Sequence, residues 1–155
     1  MDNQIGNKQE GLSSDIRQES VKLKILLVED DAMIIDMYKM RLEAENYEVI
    51  TVEKGSEALR VAKTVMPAVI LLDVMLPESD GFSILQALKG EIETKDIPVL
   101  MLTNINENGD QERGRELGAI DYFVKSQHTP TEVLMGIKRI IAEGLHIVGN
   151  QKNNL

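Results

Sequence analysis

The sequence predicts an α/β domain in which a doubly wound, five-stranded parallel sheet has helices on both faces. Short apolar runs at 23–28, 48–52, 68–73, 97–102 and 120–124 are separated by segments with the residue spacing of helices. The runs at 23–28 and 68–73 do not alternate apolar and polar residues, which is typical of strands buried on both faces. Each parallel pair also needs a right-handed crossover connection, and the intervening helices supply it.

The composition favours one domain that binds a protein partner or a cation. A chain of 155 residues, 43% apolar and 28% charged, is long enough for one full core. With five aromatic residues and eight methionines, we expect an aliphatic core filled by methionine. The absence of cysteine excludes disulfides and thiolate metal sites, and no apolar run reaches the length of a membrane span, so we expect a cytoplasmic protein. The net charge of -9 disfavours nucleic acid and anionic membranes as partners.

The first half of the chain predicts a tail and two helices. Residues 1–20 are polar and lack an apolar period, so we expect a disordered tail before a domain over 21–148. The first helix, 32–45, has a wide predicted buried face. That face is predicted from two recurring rows, one of Met33, Met37, Met40 and Ala44 and the other of Ile34, Tyr38 and Leu42. The second helix begins at Gly55 and should direct inward Ala58, Leu59, Ala62 and Val65.

The second half predicts three helices of unequal strength. The third carries Phe82, Leu85 and Leu88 and ends at Gly90. The fourth, 107–118, should be marginal, because it has little apolar surface and two glycines that each cost about 1 kcal/mol relative to alanine. The last starts at a capping box, 129–132, with proline in the first helical position. It should end near Gly144 or His146, before a disordered remnant at 149–155, and its predicted buried residues are Val133, Ile137, Ile140 and Ile141.

Polar side chains stand at the ends of four of the five predicted strands. Glu29 and Asp30 follow the first strand, Asp73 ends the third, Thr103 follows the fourth and Lys125 follows the fifth. Because the carboxyl ends of parallel strands share one edge, we expect these side chains to converge there. Each also has a purely structural alternative. Acids after the first strand favour the start of a helix, Asp73 could cap a turn, and the threonine and lysine could be ordinary strand-end and surface residues.

The converging residue types favour phosphoryl chemistry with a bound cation. Three carboxylates at one edge repel one another unless a cation lies among them. Oxygen ligands without histidine or cysteine suit a hard ion, and Mg²⁺ fits better than Ca²⁺ because it takes few protein ligands. A carboxylate such as Asp73 can attack phosphorus to give an acyl phosphate. Lys125 would add a second positive charge, and the Thr103 hydroxyl would donate a hydrogen bond to a phosphoryl oxygen.

Four motifs resemble the receiver domain of two-component response regulators, over residues 22–145. They are Leu-Leu-Val-Glu-Asp-Asp (26–31), Leu-Leu-Asp-Val-Met-Leu-Pro (71–77) followed by Asp80-Gly81, Pro-Val-Leu-Met-Leu-Thr (98–103) and Gly-Ala-Ile-Asp-Tyr-Phe-Val-Lys (118–125). The resemblance implies a flavodoxin-like sheet of order 2-1-3-4-5. It also implies that Asp73 accepts a phosphoryl group from a histidine kinase or phosphotransfer protein. In the same way it implies that Glu29, Asp30 and the Met75 backbone carbonyl bind Mg²⁺, and that Tyr122 is a switch aromatic coupled to Thr103.

Two positions depart from the family pattern. Asn104 stands where a small residue usually follows the threonine, and it could narrow access to Asp73. Ser126 stands where a proline in a cis peptide usually follows the lysine. A cis bond without proline costs about 3 kcal/mol, so we expect a trans bond.

We interpret the chain as a stand-alone phosphoacceptor switch that is not an enzyme. A downstream protein would bind the face formed by the fourth helix, the fifth strand and the last helix. Lys138 and Arg139 of that face could also pair with Glu112 and Glu116 of a second copy, which gives a possible homodimer.

Two other functions stay open at the level of sequence. The first is a Mg²⁺-dependent phosphatase with Asp73 as nucleophile, although such enzymes usually carry an acid where this chain has Met75. The second is a degenerate receiver that acts as a constitutive protein-binding scaffold, which the complete set of acids, threonine and lysine argues against.

Overall fold

The structure, a computed structural model, describes residues 20–104 and 107–152. Its helices are α1 (Ala32–Glu43), α2 (Gly55–Val65), α3 (Gly81–Gly90), α4 (Asp110–Glu116) and α5 (Pro130–Lys152). The strands of its main sheet are β1 (Lys24–Val28), β2 (Glu48–Val52), β3 (Val69–Asp73), β4 (Val99–Thr103) and β5 (Asp121–Val124). A short antiparallel hairpin, Met75–Leu76 with Ser79–Asp80, lies between β3 and α3.

The main sheet has the predicted topology. All its strand pairs are parallel, and their order is β2-β1-β3-β4-β5, which confirms the doubly wound fold. In the ladders Asp73 lies beside Leu102, and Thr103 lies beside Val124. The last residues of β3, β4 and β5 are therefore level with one another at the carboxyl edge, where ligands bind in open α/β sheets.

The sheet separates two cores, which explains why the strand sequences do not alternate. In β1, Leu26 and Val28 face a core that includes α2 and α3, whereas Ile25 and Leu27 face a core that includes α1 and α5. All four side chains are fully buried. Apolar residues are therefore needed at every position of a central strand.

The predicted methionine-filled core is wrong. Met101 in β4 is fully buried, but Met33, Met37 and Met40 on α1 are 82%, 39% and 73% exposed. The residues that α1 buries are Ile35, Tyr38 and Leu42. A helix contacts the sheet along one side only, so the second apolar row, at positions i, i+4 and i+7, lies in solvent. We call Met33, Met37 and Met40 the methionine row.

α4 is shorter than predicted, and α5 is longer than predicted. The marginal segment forms only the seven residues of α4, and Gly109 before it has a φ of 92°, in the left-handed region. α5 continues to Lys152, past the predicted end near Gly144 or His146 and into the predicted remnant. One glycine costs a helix about 1 kcal/mol, which is too little to end it. Among the helices that the structure describes, none is both long and apolar enough to cross a bilayer.

The start of α5 follows the prediction. The Thr129 N–H donates to Glu132 Oε2 at 2.6 Å, and the Glu132 N–H donates to Thr129 Oγ1 at 3.3 Å, which is a capping box. The Lys125–Ser126 peptide bond just before it is trans, as expected. Of the predicted disordered ends, residues 1–19 and 153–155 lie outside the described residues.

Candidate functional site

The acids after β1 have different structural roles. Asp31 is the N-cap of α1, since its Oδ1 accepts from the N–H groups of Met33 at 2.9 Å and Ile34 at 3.2 Å. Glu29 is only 1% exposed, and Asp30 is exposed. The helix-start interpretation therefore applies to Asp31, whereas Glu29 and Asp30 lie at the carboxyl edge without capping α1.

Both oxygens of Asp73 are held in place. Asp73 is the last residue of β3 and is 5% exposed. Its Oδ1 accepts from the Met75 N–H at 2.9 Å, which is the turn contact considered in the sequence. Its Oδ2 accepts from Lys125 Nζ at 3.1 Å. Turn formation alone does not account for Asp73, because its second oxygen accepts a hydrogen bond from Lys125, the residue after β5.

Lys125 is buried rather than a surface lysine. Its side chain is 7% exposed, and its Nζ binds both Glu29 Oε2 and Asp73 Oδ2. Its backbone N–H donates to the carbonyl oxygen of Thr103 at 2.6 Å. The lysine therefore joins the ends of β1, β3, β4 and β5 into one site.

Burial and charge shift the pKa values of the two partners of this pair. Burial raises the pKa of the Glu29 carboxyl, and the nearby charge of Asp73 raises it further. The hydrogen bond from Lys125 lowers this pKa but does not cancel the increase. Burial would lower the pKa of Lys125, but the hydrogen bond to Glu29 and the charges of Asp73 and Glu29 raise it above its usual value. The ammonium is therefore the stable form of Lys125 in this site.

Three carboxylates of the site offer oxygen atoms to one point. Glu29, Asp30 and Asp73 each present a carboxylate oxygen, and these oxygens lie within 4.8 Å of one another. A single ammonium compensates only part of their charge. An all-oxygen set with excess negative charge suits a hard divalent cation.

Thr103 and Tyr122 adjoin the site from β4 and β5. Thr103 is fully buried at the end of β4, and it lines a cavity together with Met75. The Tyr122 hydroxyl is buried, and the ring lies against Gly114 of α4. Burial raises the pKa of Tyr122, and the charge of Asp110 adds to this effect. The predicted switch aromatic therefore lies inward, between β5 and α4.

Comparison with known proteins identifies the family of this chain. A family model of the response regulator receiver domain matches residues 25–136. The chain belongs to the response regulator receiver family. The receiver is 39% identical over 132 residues to the probable transcriptional regulator ycf27 of Porphyra purpurea, covering 85% of this chain and 53% of that protein. It is 42% identical over 118 residues to the alkaline phosphatase synthesis transcriptional regulatory protein PhoP of Bacillus subtilis, covering 76% of this chain and 48% of PhoP.

Solved receiver structures share the fold. The chemotaxis protein CheY4 of Vibrio cholerae superposes with a TM-score of 0.71 at 32% identity, over 77% of this chain and 99% of CheY4. The receiver domain of the sensor histidine kinase PA1611 from Pseudomonas aeruginosa gives 0.71 at 29% identity, over 79% of this chain and 99% of that one, and it was solved with a magnesium ion coordinated in its active-site cleft. The receiver spans about half the length of the curated relatives above.

The structure brings the side chains of Glu29, Asp30, Asp73 and Lys125 together. One neighbouring contact was not predicted from the sequence. Arg113 of α4 has its Cζ 4.3 Å from the centre of the Phe82 ring, and its Nη2 is 3.8 Å from Asp80 Oδ2. Arg113 stands in a strongly charged segment, where an arginine is usually a solvated surface residue. The sequence contains no signal that would pair it with α3.

Proposed function

We propose that the receiver accepts a phosphoryl group on Asp73, in a Mg²⁺-dependent reaction, from a histidine kinase or a phosphotransfer protein. The observation that carries this proposal is the Lys125 ammonium, buried between Glu29 and Asp73. In this position it holds one carboxylate oxygen of Asp73 at 3.1 Å and offers positive charge to the oxygens of an incoming phosphoryl group.

The residues at the carboxyl edge fit a magnesium ion. Glu29, Asp30 and Asp73 would hold it, with the Met75 backbone carbonyl as a further ligand. Their oxygens are the donor type that Mg²⁺ prefers, and their charge exceeds that of the one lysine among them. When bound, the ion supplies positive charge that offsets the negative charge of the transferred group.

The transfer exchanges one bond to phosphorus for another. A carboxylate oxygen of Asp73 forms a P–O bond while the P–N bond of the donor's phosphohistidine breaks, and the imidazole leaves with the electron pair and takes up a proton. The Met75 N–H and Lys125 Nζ orient the carboxylate, at 2.9 and 3.1 Å from its two oxygens. Lys125 and the Thr103 hydroxyl then bind phosphoryl oxygens.

The signal would be read on the surface formed by α4, β5 and α5. α4 is short, and Thr103 and Tyr122 lie next to it, so a change at Asp73 reaches a weakly held element. This surface would have one arrangement before phosphorylation and another after it, and a downstream protein partner would bind only one of them. The receiver is then a switch rather than an enzyme, because it transforms only its own side chain.

A homodimer through the same surface is a further part of the proposal. Lys138 binds Glu45 at 2.6 Å and Arg139 binds Asp121 at 3.0 Å within the chain, so pairing with the α4 acids of a second copy would require these contacts to exchange. Light scattering measures the molar mass of the receiver with and without beryllofluoride (BeF3⁻), which serves as a phosphoryl mimic. A molar mass that stays monomeric in both conditions would contradict the homodimer. The proposal also includes a cytoplasmic location, which cell fractionation tests.

Intact-mass spectrometry with Mg²⁺ and acetyl phosphate tests the phosphoacceptor directly. We expect a single phosphoryl adduct on the wild type and none on Asp73→Asn. The matched control is Asp31→Asn, because Asp31 is a neighbouring acid that caps α1 and asparagine also caps helices well. This control should be phosphorylated like the wild type.

The same experiment separates the alternatives. Repeated hydrolysis of phosphate esters would favour a phosphatase, for which Met75 stands where a general acid is usual. A folded wild type that gives no adduct would favour a scaffold and contradict the proposal. An adduct that survives in Asp73→Asn would place the acceptor elsewhere.

A further inference from the structure

The turn between β4 and α4 contains the sequence Asn108-Gly109, and no other asparagine of the chain is followed by glycine. The backbone nitrogen after an asparagine can attack the carbon of the side-chain amide, Cγ, and close a five-membered succinimide ring. Glycine hinders this attack least, because it has no Cβ and rotates freely about its backbone bonds. The sequence therefore distinguishes Asn108 from the other asparagines as a candidate for spontaneous deamidation.

The structure places this dipeptide at the centre of a type II turn. The Asp110 N–H donates to the carbonyl oxygen of Glu107 at 3.2 Å. Gly109 has a φ of 92° and a ψ of -9°, whereas Asn108 does not have a positive φ. The third position of a type II turn requires a positive φ, which favours glycine there. The turn itself therefore keeps the least hindering residue directly after Asn108.

Few contacts hold this turn in place. Glu107, Asn108 and Gly109 are exposed, and a Cβ on Gly109 would meet nothing within 4 Å. Within residues 20–104 and 107–152, no group accepts a hydrogen bond from the Gly109 N–H, and none binds the Asn108 side-chain amide. The turn can therefore open locally, and bring the Gly109 nitrogen to Asn108 Cγ, without a loss of core packing.

The sequence Asp80-Gly81 shows how the fold protects a similar pair. An aspartate before glycine can close the same ring with loss of water. Here, however, the Gly81 N–H donates to the carbonyl oxygen of Val74 at 2.9 Å, and Asp80 Oδ1 accepts from the Phe82 N–H at 3.0 Å. Gly81 is also buried. The attacking nitrogen and the attacked carboxyl group are thus both held apart at Asp80, which leaves Asn108 as the reactive pair.

We propose that Asn108 is a site of spontaneous deamidation, which makes the segment before α4 more acidic as the receiver ages. The Gly109 nitrogen forms a bond to Asn108 Cγ and gives up its proton, while the bond from Cγ to the side-chain nitrogen breaks and ammonia leaves. Water then opens the succinimide at one of its two carbonyl carbons. One product is aspartate, and the other is isoaspartate, whose backbone runs through the former side chain. The reaction needs no enzyme, oxidant or cofactor.

Both products change the environment of α4. Each adds a negative charge beside Glu107 and the acids of the first helical turn, Asp110 and Glu112. Isoaspartate also adds a methylene group to the backbone, which alters the spacing of the turn and removes its hydrogen bond. α4 has seven residues, of which only Gly114 is buried, so it depends on its ends for stability. Isoaspartate should therefore loosen α4, whether or not Asp73 is phosphorylated.

Peptide mapping of the full chain after incubation at mildly alkaline pH tests the site. Trypsin releases residues 96–113 as one peptide with three asparagines, and fragment spectra assign a gain of one dalton to Asn104, Asn106 or Asn108. Asn108 should deamidate about tenfold or more faster than Asn46, an exposed asparagine that is followed by tyrosine.

The control for this experiment is Asn108→Gln, whose longer side chain does not close a five-membered ring and should show no gain at this position. Equal rates at Asn108 and Asn46 would overturn the proposal. So would a reaction at Asn108 that proceeds only in urea, because the folded turn would then be protective.

Hydrogen exchange tests the consequence for α4. The isoaspartyl form, separated by chromatography, should exchange its α4 amides roughly fivefold faster than the fresh wild type, since one lost hydrogen bond changes a local opening equilibrium by about this factor. Freshly prepared Asn108→Asp carries the charge without the extra backbone carbon and should exchange like the wild type. Unchanged exchange in the isoaspartyl form, or faster exchange throughout the chain, would contradict a local effect on α4. A receiver that takes no phosphoryl group would defeat the proposed function and leave both results standing.

Discussion

Replacing Gly81 by alanine tests how closely the loop between β3 and α3, residues 74–80, packs against Asp73. A Cβ on Gly81 would lie 2.4 Å from the carbonyl oxygen of Asp73 and 2.6 Å from the Cα of Val74. Both are backbone atoms, so no side-chain rotation can relieve the contact. The φ of Gly81 is not positive, so the effect is one of space alone. The loop or the end of β3 must therefore move.

The expected cost follows from that displacement. Forcing a methyl group into a packed site costs about 1–3 kcal/mol. Lengthening the bond from the Gly81 N–H to the Val74 carbonyl, now 2.9 Å, adds about 1 kcal/mol. We expect Gly81→Ala to lose about 3 kcal/mol of unfolding free energy. Because the Asp73 backbone is what moves, the rate of phosphorylation by acetyl phosphate should also fall by about tenfold or more.

Urea unfolding and timed intact-mass spectra measure these two effects. The control is Gly90→Ala at the other end of α3, where a Cβ meets nothing within 4 Å. Alanine is the better helix former, so this variant should be as stable as the wild type or more stable by about 0.5–1 kcal/mol. If Gly81→Ala were as stable as Gly90→Ala and equally fast to phosphorylate, the close approach of the loop to Asp73 would be refuted.

Three further changes test the site and its loop. Lys125→Met leaves buried carboxylates without their ammonium, so in Mg²⁺-free urea titrations we expect the free energy of unfolding to fall by about 2–4 kcal/mol. Millimolar Mg²⁺ should recover part of this loss. A loss below about 1 kcal/mol, the usual value for exposed pairs, would contradict the buried pair. Mg²⁺ should raise the thermal midpoint of the wild type and of Asp31→Asn but hardly that of Asp30→Asn, and equal shifts in the two variants would remove Asp30 from the metal set. Glu78 has a φ of 62°, in the left-handed region, so Glu78→Gly should gain about 0.5–1 kcal/mol of stability, whereas Glu53→Gly, at a position without positive φ, should lose stability in the same urea assay.

The carboxyl edge is predictable from the sequence because parallel topology brings strand ends together. Asp73 and Lys125 are 52 residues apart and approach to 3.1 Å, because β3 and β5 are the two neighbours of β4. The apolar runs define which residue comes at each strand end. The choice of oxygen ligands then follows from the residue types alone.

Features that depend on how a helix is rotated or extended are not predictable in this way. The sequence of α1 contains two apolar rows, and periodicity does not say which row faces the sheet. The contact of Arg113 with Phe82 depends on the placement of α4 against α3, which no local pattern encodes. The length of α5 depends on whether the helix ends at Gly144. The helix propensity of one glycine, about 1 kcal/mol below that of alanine, is too small to predict this from the sequence.

The methionine row offers a chemical handle on α1. Thioethers in solvent react with peroxide to give sulfoxides, whereas Met101 in β4 is fully buried. A brief peroxide treatment of the folded receiver would mark α1 and spare β4. Any molecule that covers α1 would lower the yield of sulfoxide on Met33, Met37 and Met40, so peptide mapping would report its docking without a label being introduced.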